Sequence, residues 1–524
     1  MLELARTEKG SNAMGRKQAT FREGIGQEQR HYAQTLRDVR KLRGETQQEL
    51  GRLLGWSVSM VSRFEAASER PDRATHRRYC ALAPTEELAQ QLASAYEALP
   101  PLNGDQRRPA LVRRSPEEWH GRALDGPGVY QLLSEKYPAY PVAQLFGDAA
   151  KPLPVWAELA PAEQWQDIEA PLGRLDLSEP VPDVRTWRYW EPCDPRGEEE
   201  FKRHLDEWDR QLREVHAGRR EHLKTWNQLT YDLGAMTRDE HGRLRLDCKL
   251  GTYYHSLSTS ECLDAELSEA YAAWPDSTPD VTWPRLERRA WLHERVPDPV
   301  ADGRHRSAAI GVSTLTIVRV RNRSFDGYKM FLSPRSVTVA TQRRRYHVVP
   351  SGMFQPFIPG ESADLLQEQF SVAATAVREF VEELYGVHEL ETGDGRVDPN
   401  AIYRRREAKL LDGMLKAGDA ALLYSGVAVN LLALRHEICT VLVIEDPRWY
   451  ERECGELRIC DEFLQQCEQA ELLPDQRWVQ LISLTRSGLE VEPMWWDRLR
   501  ASTIVAPGAA AVELGLQVAR AVVS

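Results

Sequence analysis

A stretch of twenty residues near the N-terminus, TQQELGRLLGWSVSMVSRFE at positions 46–65, restricts local folding more than any other part of the chain. It predicts two short helices joined at Gly55. Thr46 begins the first helix as its N-cap, and Glu49, three residues later, completes a capping box. Gly55 ends that helix, because a residue without a Cβ adopts a positive φ without steric cost. Ser57 caps the second helix, so the stretch predicts a compact helical hairpin.

The second helix of this hairpin has an apolar side and a side of mostly short residues. The residues expected to pack where the helices cross are Leu50, Leu53, Leu54, Val61 and Phe64. The residues expected to face outward are Ser57, Val58, Ser59, Ser62 and Arg63. Side chains this short let a helix lie deep in the major groove of DNA. An upstream helix in YAQTLRDVRKLRG, with Leu36, Val39 and Leu42 on one face, would complete the helical core.

The ordered segments LRxxRxxRG, TQQELGRLLG, SxSMVSRFE and ERP resemble the Cro/phage-repressor type of helix-turn-helix, the XRE family, over roughly residues 31–75. The resemblance implies a transcriptional regulator that binds double-stranded DNA. It implies that Gln47 reaches a phosphate or a base edge. It also implies that the recognition helix meets base pairs with Val58, Ser59, Ser62 and Arg63, with Ser57 at its start. Trp56 departs from the family, which usually has a small aliphatic residue in the turn.

The charge of the chain is unevenly distributed along its length. The net charge is −11, yet residues 31–80 contain ten Lys/Arg and six Asp/Glu, so this segment carries about +4 and the remainder about −15. A basic segment on an acidic body is typical of a DNA-binding head joined to a regulatory body.

The length of 524 residues predicts several domains, because a single core stops growing well below this size. The longest apolar run is too short to span a bilayer and no signal peptide is recognisable, so we expect a cytoplasmic protein with no membrane partner. The predicted organisation is a disordered arm at 1–27, a helix-turn-helix domain at 28–100, a Pro/Trp-rich linker with short helices at 101–195, a helical connecting or dimerisation region at 196–305, and an α/β domain at 306–524.

The middle of the chain is predicted to be helical. A long helix is expected over residues 198–229, where apolar residues recur at spacings of 4, 3, 4 and 3: Phe201, Leu205, Trp208, Leu212 and Val215. This seam would pack either within the chain or against a second copy. A homodimer is expected because helix-turn-helix proteins usually read palindromic sites. A further helical piece is predicted over 231–273.

From residue 308 onward, short β-rich runs such as AIGVSTLTIVRV predict a sheet. A helix, ATAVREFVEELYGV, follows them. Glu379, Glu382 and Glu383 lie at i, i+3 and i+4 and therefore project from one helical face. Such a face is either solvated or gathered around a divalent cation, for which Mg²⁺ or Mn²⁺ is the natural choice.

The order R-E-x-x-E-E followed by Gly386 resembles the Nudix hydrolase box. The resemblance implies an α/β/α sandwich that binds a nucleoside diphosphate linked to another group. It implies that Glu379, Glu382 and Glu383 hold the metal or activate water and that Arg378 orients them. Asp364 and Phe370 stand where the family has Gly and Glu.

Together these features predict a sequence-specific DNA-binding regulator whose Nudix-like domain senses a nucleotide-type ligand. The alternative is a metal-dependent nucleoside diphosphate hydrolase that carries a DNA-binding head. Whether the Nudix-like domain is an enzyme remains open at this point, since its box departs from the family pattern.

Overall fold

The computed structural model describes residues 27–54, 58–67, 76, 79–80, 82–99, 127–143, 145, 153–185, 195–215, 226–272, 286–321, 325–335, 345–357, 362–387, 401–454, 456–457, 480–484, 489–491 and 503–523. The expected arm at 1–27 lies almost entirely outside these ranges. The described residues up to 99 belong to one compact unit and those from 127 onward to another. The chain is therefore multidomain, with one helical unit and one unit built on mixed sheets.

The helical unit is a small bundle around one apolar core. Its described helices are α1 (Gln27–Leu42), α2 (Gln47–Leu54), α3 (Val58–Glu65) and α4 (Glu86–Glu97). Thr85 caps α4 by accepting a hydrogen bond from the Leu88 amide at 3.2 Å. The core residues are Tyr32, Leu36, Val39, Leu50, Val61, Phe64, Tyr79, Leu88, Leu92, Ala95, Tyr96 and Leu99. Of the predicted crossing residues, Leu50, Val61 and Phe64 are buried, and the side chains of Leu53 and Leu54 lie outside the described part of the chain. Leu42, predicted on the apolar face of the upstream helix, is largely exposed.

The second unit contains helices on both sides of its larger sheet. Its described α-helices are α5 (Pro127–Lys136), α6 (Pro195–Val215), α7 (Tyr253–Ser256), α8 (Cys262–Ala272), α9 (Glu287–Arg295), α10 (Ala363–Glu368), α11 (Val372–Tyr385), α12 (Arg406–Ala417), α13 (Trp449–Glu453) and α14 (Ala506–Val523). A π-helical turn, Leu257–Glu261, joins α7 to α8. None of the described helices is both long and apolar enough to cross a membrane.

The described strands are β1 (Val155–Leu159), β2 (Leu172–Asp176), β3 (Leu229–Arg238), β4 (Leu244–Thr252), β5 (Gly311–Arg321), β6 (Asp326–Pro334), β7 (Tyr346–Val348), β8 (Ser351–Met353), β9 (Ala420–Asn430), β10 (Arg435–Ile444) and β11 (Gln480–Ser483). In the described ranges, eight of them form one sheet in the order β1-β9-β10-β5-β6-β11, with β7 on β6 and β8 on β5. β5 and β10 are parallel, and the other pairs are antiparallel. The remaining three strands form a second sheet in the order β2-β4-β3.

Two helices mark the opposite faces of the larger sheet. Gly515 of α14 approaches Leu315, and Gly352 of β8 approaches Glu379 of α11. Gly352 pairs with Val312, three residues from Leu315 along β5. Because side chains alternate between the two faces of a strand, α11 and α14 lie on opposite faces. The helix–sheet–helix layering thus positions the carboxylate helix against β8 and β5.

The predicted sheet after residue 308 is found, whereas the helical prediction for the middle of the chain is partly wrong. Residues 229–252 form the β3–β4 hairpin, and helix begins only at Tyr253. In β4 every second residue is buried, from Leu244 to Leu250. This apolar–polar alternation in LRLDCKL is the period of a half-buried strand.

The long helix is also shorter than predicted. α6 ends at Val215 among the described residues, and Leu229 lies in β3. Phe201 and Leu205 of the predicted seam pack against Leu257 and Cys262 of the same chain. The side chains of Trp208, Leu212 and Val215 lie outside the description. The region at 101–195, expected to hold only short helices, also contributes strands β1 and β2. β1 pairs with the distant strand β9, for example through Val155 and Asn430.

Candidate functional site

The first group of candidate residues lies at the start of α2, where the predicted capping box is present. The Thr46 amide donates to Glu49 Oε2 at 2.7 Å, and the Glu49 amide donates to Thr46 Oγ1 at 3.2 Å. These reciprocal bonds satisfy amide groups that no turn of the helix can reach. The box fixes the point at which α2 begins.

One buried carboxylate joins α1, α2 and α3. Glu65, at the end of α3, accepts from Arg40 of α1 through Nε at 2.6 Å and Nη2 at 2.8 Å, and from Gln47 Nε2 at 2.9 Å. Arg40 Nη1 also donates to the Glu45 carbonyl at 2.9 Å. A bidentate guanidinium–carboxylate pair has a fixed geometry, so it sets the positions of the three helices. The amide nitrogen of Gln47, a predicted DNA contact, is therefore engaged inside the bundle.

The other predicted DNA contacts are only partly described. Ser62 is exposed on α3, between buried Val61 and Phe64. Val58, Ser59 and Arg63 belong to the same helix, but their side chains lie outside the description, as does all of Ser57. The one outward-facing residue whose side chain is described thus has the predicted exposure.

The second group of candidate residues lies on α11. Arg378 is buried and donates to Glu379 Oε1 at 2.9 Å, to the Met353 carbonyl at 3.3 Å and to the Gln355 carbonyl at 3.2 Å. Its guanidinium therefore ties Glu379 to the end of β8. The orienting role that the resemblance implies for Arg378 stays a prediction.

Two of the three carboxylates face β8 directly. Glu379 lies over Gly352, where an added Cβ would overlap its carboxylate. Glu383 Oε2 accepts from the Ser351 amide at 2.7 Å. Glu382, on the adjoining side of the helix, is half-buried. The glutamate face of α11 therefore packs against strand β8 and is not fully solvated.

The ends of α11 are held by two other carboxylates. Glu169 Oε1 accepts from Ser371 Oγ at 2.6 Å and from the Ala373 amide at 3.0 Å, and Oε2 accepts from the Val372 amide at 2.8 Å. At the other end, Tyr385 donates to Glu453 at 3.3 Å, and Gly386 adopts a φ of 61° to end the helix. Burial, with the charge of Glu453, raises the pKa of Tyr385.

Glu169 was missed by sequence reasoning. It lies in the segment between β1 and β2, some 200 residues before the helix that it caps. Negative charge at a helix N-terminus is favourable, but no local pattern in the sequence relates two segments so far apart.

The three glutamates do not form a preassembled cation site. Within the described residues, no group of three or more His, Cys, Asp or Glu side chains is placed to hold a metal ion. Glu379 is directed to a guanidinium and Glu383 to a backbone amide. Mg²⁺ or Mn²⁺ would have to displace these partners to gain the oxygen ligands it prefers.

Comparison with known proteins adds no family. No protein-family model matches the sequence, and no curated protein matches it either. Function must therefore be argued from the two groups of residues themselves.

Proposed function

We propose that this protein is a transcriptional regulator that binds operator DNA through α3 and senses a nucleotide-type ligand through α11. The observation that supports the first half is the Arg40–Gln47–Glu65 network, which holds three short helices in a fixed arrangement and leaves Ser62 exposed. A small rigid bundle that presents a helix with short outward side chains suits insertion into a major groove. The basic charge of residues 31–80 would favour the approach to DNA.

The observation that supports the second half is the attachment of α11 to β8. Arg378, Glu379 and Glu383 all meet residues 351–355, so a ligand bound at this edge would move the helix and the strand together. Regulation by that ligand requires different affinities for two conformations of the protein. Binding as a homodimer to paired half-sites belongs to the same proposal.

DNA binding is tested with a matched pair of charge substitutions. Ser62→Glu introduces a carboxylate on the exposed face of α3, and Ser94→Glu introduces the same group at an exposed position of α4. With fragments upstream of the protein's own gene, gel shifts should show sequence-selective, salt-sensitive retention of the DNA. Ser62→Glu should weaken it about tenfold or more, since a groove-facing carboxylate repels phosphate, which corresponds to at least about 1.4 kcal/mol.

Ser94→Glu should bind like the wild-type protein. The regulator proposal fails if no fragment is retained selectively by the wild-type protein. Equal weakening by both substitutions would remove α3 as the DNA-contacting helix.

A metal-dependent hydrolase that carries the same head is the second candidate, favoured by the Arg378–Glu379 pair on the helix. Incubation with Mg²⁺ and a panel of dinucleotides and nucleoside diphosphate sugars separates the two functions. Turnover that Glu382→Gln abolishes would support the enzyme. Binding without turnover would support the sensor.

A further inference from the structure

A cysteine, a histidine and a tyrosine form a chain of contacts inside the helical unit. Cys80 Sγ lies 3.4 Å from His76 Nε2. The other ring nitrogen of His76, Nδ1, lies 2.9 Å from the hydroxyl oxygen of Tyr32 on α1. His76 and Cys80 are four positions apart, the spacing that brings two side chains together on one side of a helix. A thiol, an imidazole and a phenol are thus in contact in that order.

The imidazole in this chain is held in a fixed orientation. Its ring stacks on Tyr96 of α4, with the centroids 4.0 Å apart and the planes at 10°. Tyr32 meets the same Tyr96 ring edge-on, with the centroids 5.5 Å apart. His76 and both tyrosines are buried, whereas Cys80 is half-buried. The thiol is therefore the most exposed of these groups, and the histidine behind it has little freedom to turn.

This arrangement allows His76 to act as a base toward Cys80. Neutral imidazole has one N–H and one lone pair, so when Nδ1–H donates to the Tyr32 oxygen, Nε2 presents its lone pair to the thiol. Burial raises the pKa of Cys80, so the thiol keeps its proton at neutral pH until a base removes it. A nucleophile beside a base that a third group orients is the arrangement used in covalent catalysis. The stacked Tyr96 ring would stabilise the imidazolium that forms.

We propose that Cys80 is a site of reversible oxidation by hydrogen peroxide, with His76 as the base and Tyr32 as a positioning residue. Cys80 Sγ attacks one peroxide oxygen, so an S–O bond forms while the O–O bond breaks. The thiol proton passes to His76 Nε2 and from there to the leaving hydroxide, which departs as water. The sulfur is oxidised by two electrons to a sulfenic acid, and the peroxide is reduced by the same two electrons.

The added oxygen would disturb the packing of the helical unit. Cys80 packs against its apolar core, and Cys80 Sγ lies 3.9 Å from the Ala89 carbonyl of α4. A well-packed core tolerates additional atoms poorly, and a sulfenic acid is also more polar than a thiol. We therefore expect oxidation to loosen the bundle and to release α3 from its fixed position. This consequence rests on the proposed DNA binding, whereas the oxidation itself does not.

The test compares two cysteines of the full chain, Cys80 and Cys454. Cys454 is exposed, and its sulfur contacts the Glu451 carbonyl rather than an imidazole. Hydrogen peroxide is added at neutral pH together with dimedone, which traps sulfenic acids, and peptide mass spectrometry follows the labelling of each cysteine. Cys80 should be labelled about tenfold faster than Cys454 or more, although exposure alone would favour Cys454.

Three variants assign the roles of the neighbouring groups. His76→Gln removes the base but keeps a polar side chain, so it should slow the labelling of Cys80 about tenfold or more. Tyr32→Phe removes only the hydroxyl group that positions the imidazole and should slow it less. His31→Gln, at an exposed position of α1, should label like the wild-type protein. If His76 and Tyr32 only stabilised the bundle, their substitution would expose the thiol and accelerate its labelling.

The proposal is overturned if Cys80 of the wild-type chain reacts no faster than Cys454, a result that needs no variant to fold. It is also overturned if His76→Gln is labelled at the wild-type rate or faster. In gel shifts, peroxide should abolish selective DNA retention by the wild-type protein but not by Cys80→Ser, and dithiothreitol should restore it. Unchanged retention with Cys80 labelled would overturn the regulatory consequence alone. A wild-type chain that retains no DNA would defeat the proposed function, and the labelling rates would still decide the oxidation.

Discussion

Buried charge is handled differently in the two units of this protein. In the helical unit, the Arg40–Glu65 pair is complete, because both oxygens of the carboxylate and all three nitrogens of the guanidinium have partners. In the sheet unit, some charged groups among the described residues are buried without an ion-pair partner. The buried Arg306, for example, donates to the carbonyls of Asp302 and Leu434, and among the described residues no carboxylate lies within ion-pair distance of its guanidinium.

The comparison distinguishes charged groups that only hold the fold together from charged groups that can still bind a ligand or a proton. A complete network stabilises one arrangement of helices and offers nothing to a ligand. An incomplete one leaves a free energy cost that a ligand or a proton can change. We therefore expect substitutions in the first kind to reduce stability most, and those in the second kind to change responses to pH and ligand.

Removal of one partner from the complete network should have the largest effect. Glu65→Gln leaves the Arg40 guanidinium, whose side chain is 14% exposed, without its counter-charge. The loss of one partner of a buried pair costs about 3–5 kcal/mol. Calorimetry of the full chain should show a much lower transition for the helical unit, and hydrogen exchange should show faster exchange in α1, α2 and α3.

The control for this experiment is Arg43→Met, which removes a more exposed pair with Glu45 at 2.9 Å. Such pairs contribute about 0–1 kcal/mol. If the two substitutions lower the transition equally, the buried network is not what holds the helices together, and the contrast between the units disappears.

The second prediction concerns acid stability of the sheet unit. Burial, with the charge of Arg306, lowers the pKa of His436 in β10 to about 3. As the pH falls below the ordinary histidine value of about 6.5, the unfolded chain gains a proton that the native protein does not accept. Stability is therefore lost progressively from about pH 6.5 toward pH 3. At pH 5 this one residue should account for about 2 kcal/mol.

His436→Asn should flatten the dependence of unfolding free energy on pH between 6.5 and 5, measured by denaturant titration at several pH values. His241→Asn, at an exposed position, should keep the wild-type slope. An unchanged slope in His436→Asn would mean that this imidazole is protonated in the native protein, contrary to its burial.

Local signals and long-range pairing explain which parts of this structure the sequence predicted. The capping box at Thr46 depends on residues three positions apart, and it is present. The β3–β4 hairpin was missed because the helical prediction for 231–273 overrode the alternation in LRLDCKL, and the upstream helix was extended through Leu229. The pairing of β1 with β9 depends on contacts that no local window contains. The same limit applies to the site: Arg378 and the glutamates share one helix, whereas Glu169 comes from a distant segment.

The smallest expected loss of stability comes from substitution of Glu169. This residue sharpens the comparison because both of its carboxylate oxygens accept hydrogen bonds although it belongs to the sheet unit. Glu169 accepts three hydrogen bonds at the N-terminus of α11. Glu169→Ala should cost about 1 kcal/mol, the usual effect of a lost cap, because Ser371 still caps the helix. Glu163→Ala, on the exposed part of the same segment, should cost less. Faster hydrogen exchange confined to the first turn of α11 would place Glu169 with the structural charges. If hydrogen exchange in the first turn of α11 is unchanged but binding of the nucleotide-type ligand is altered, Glu169 belongs with the incompletely bonded charged groups.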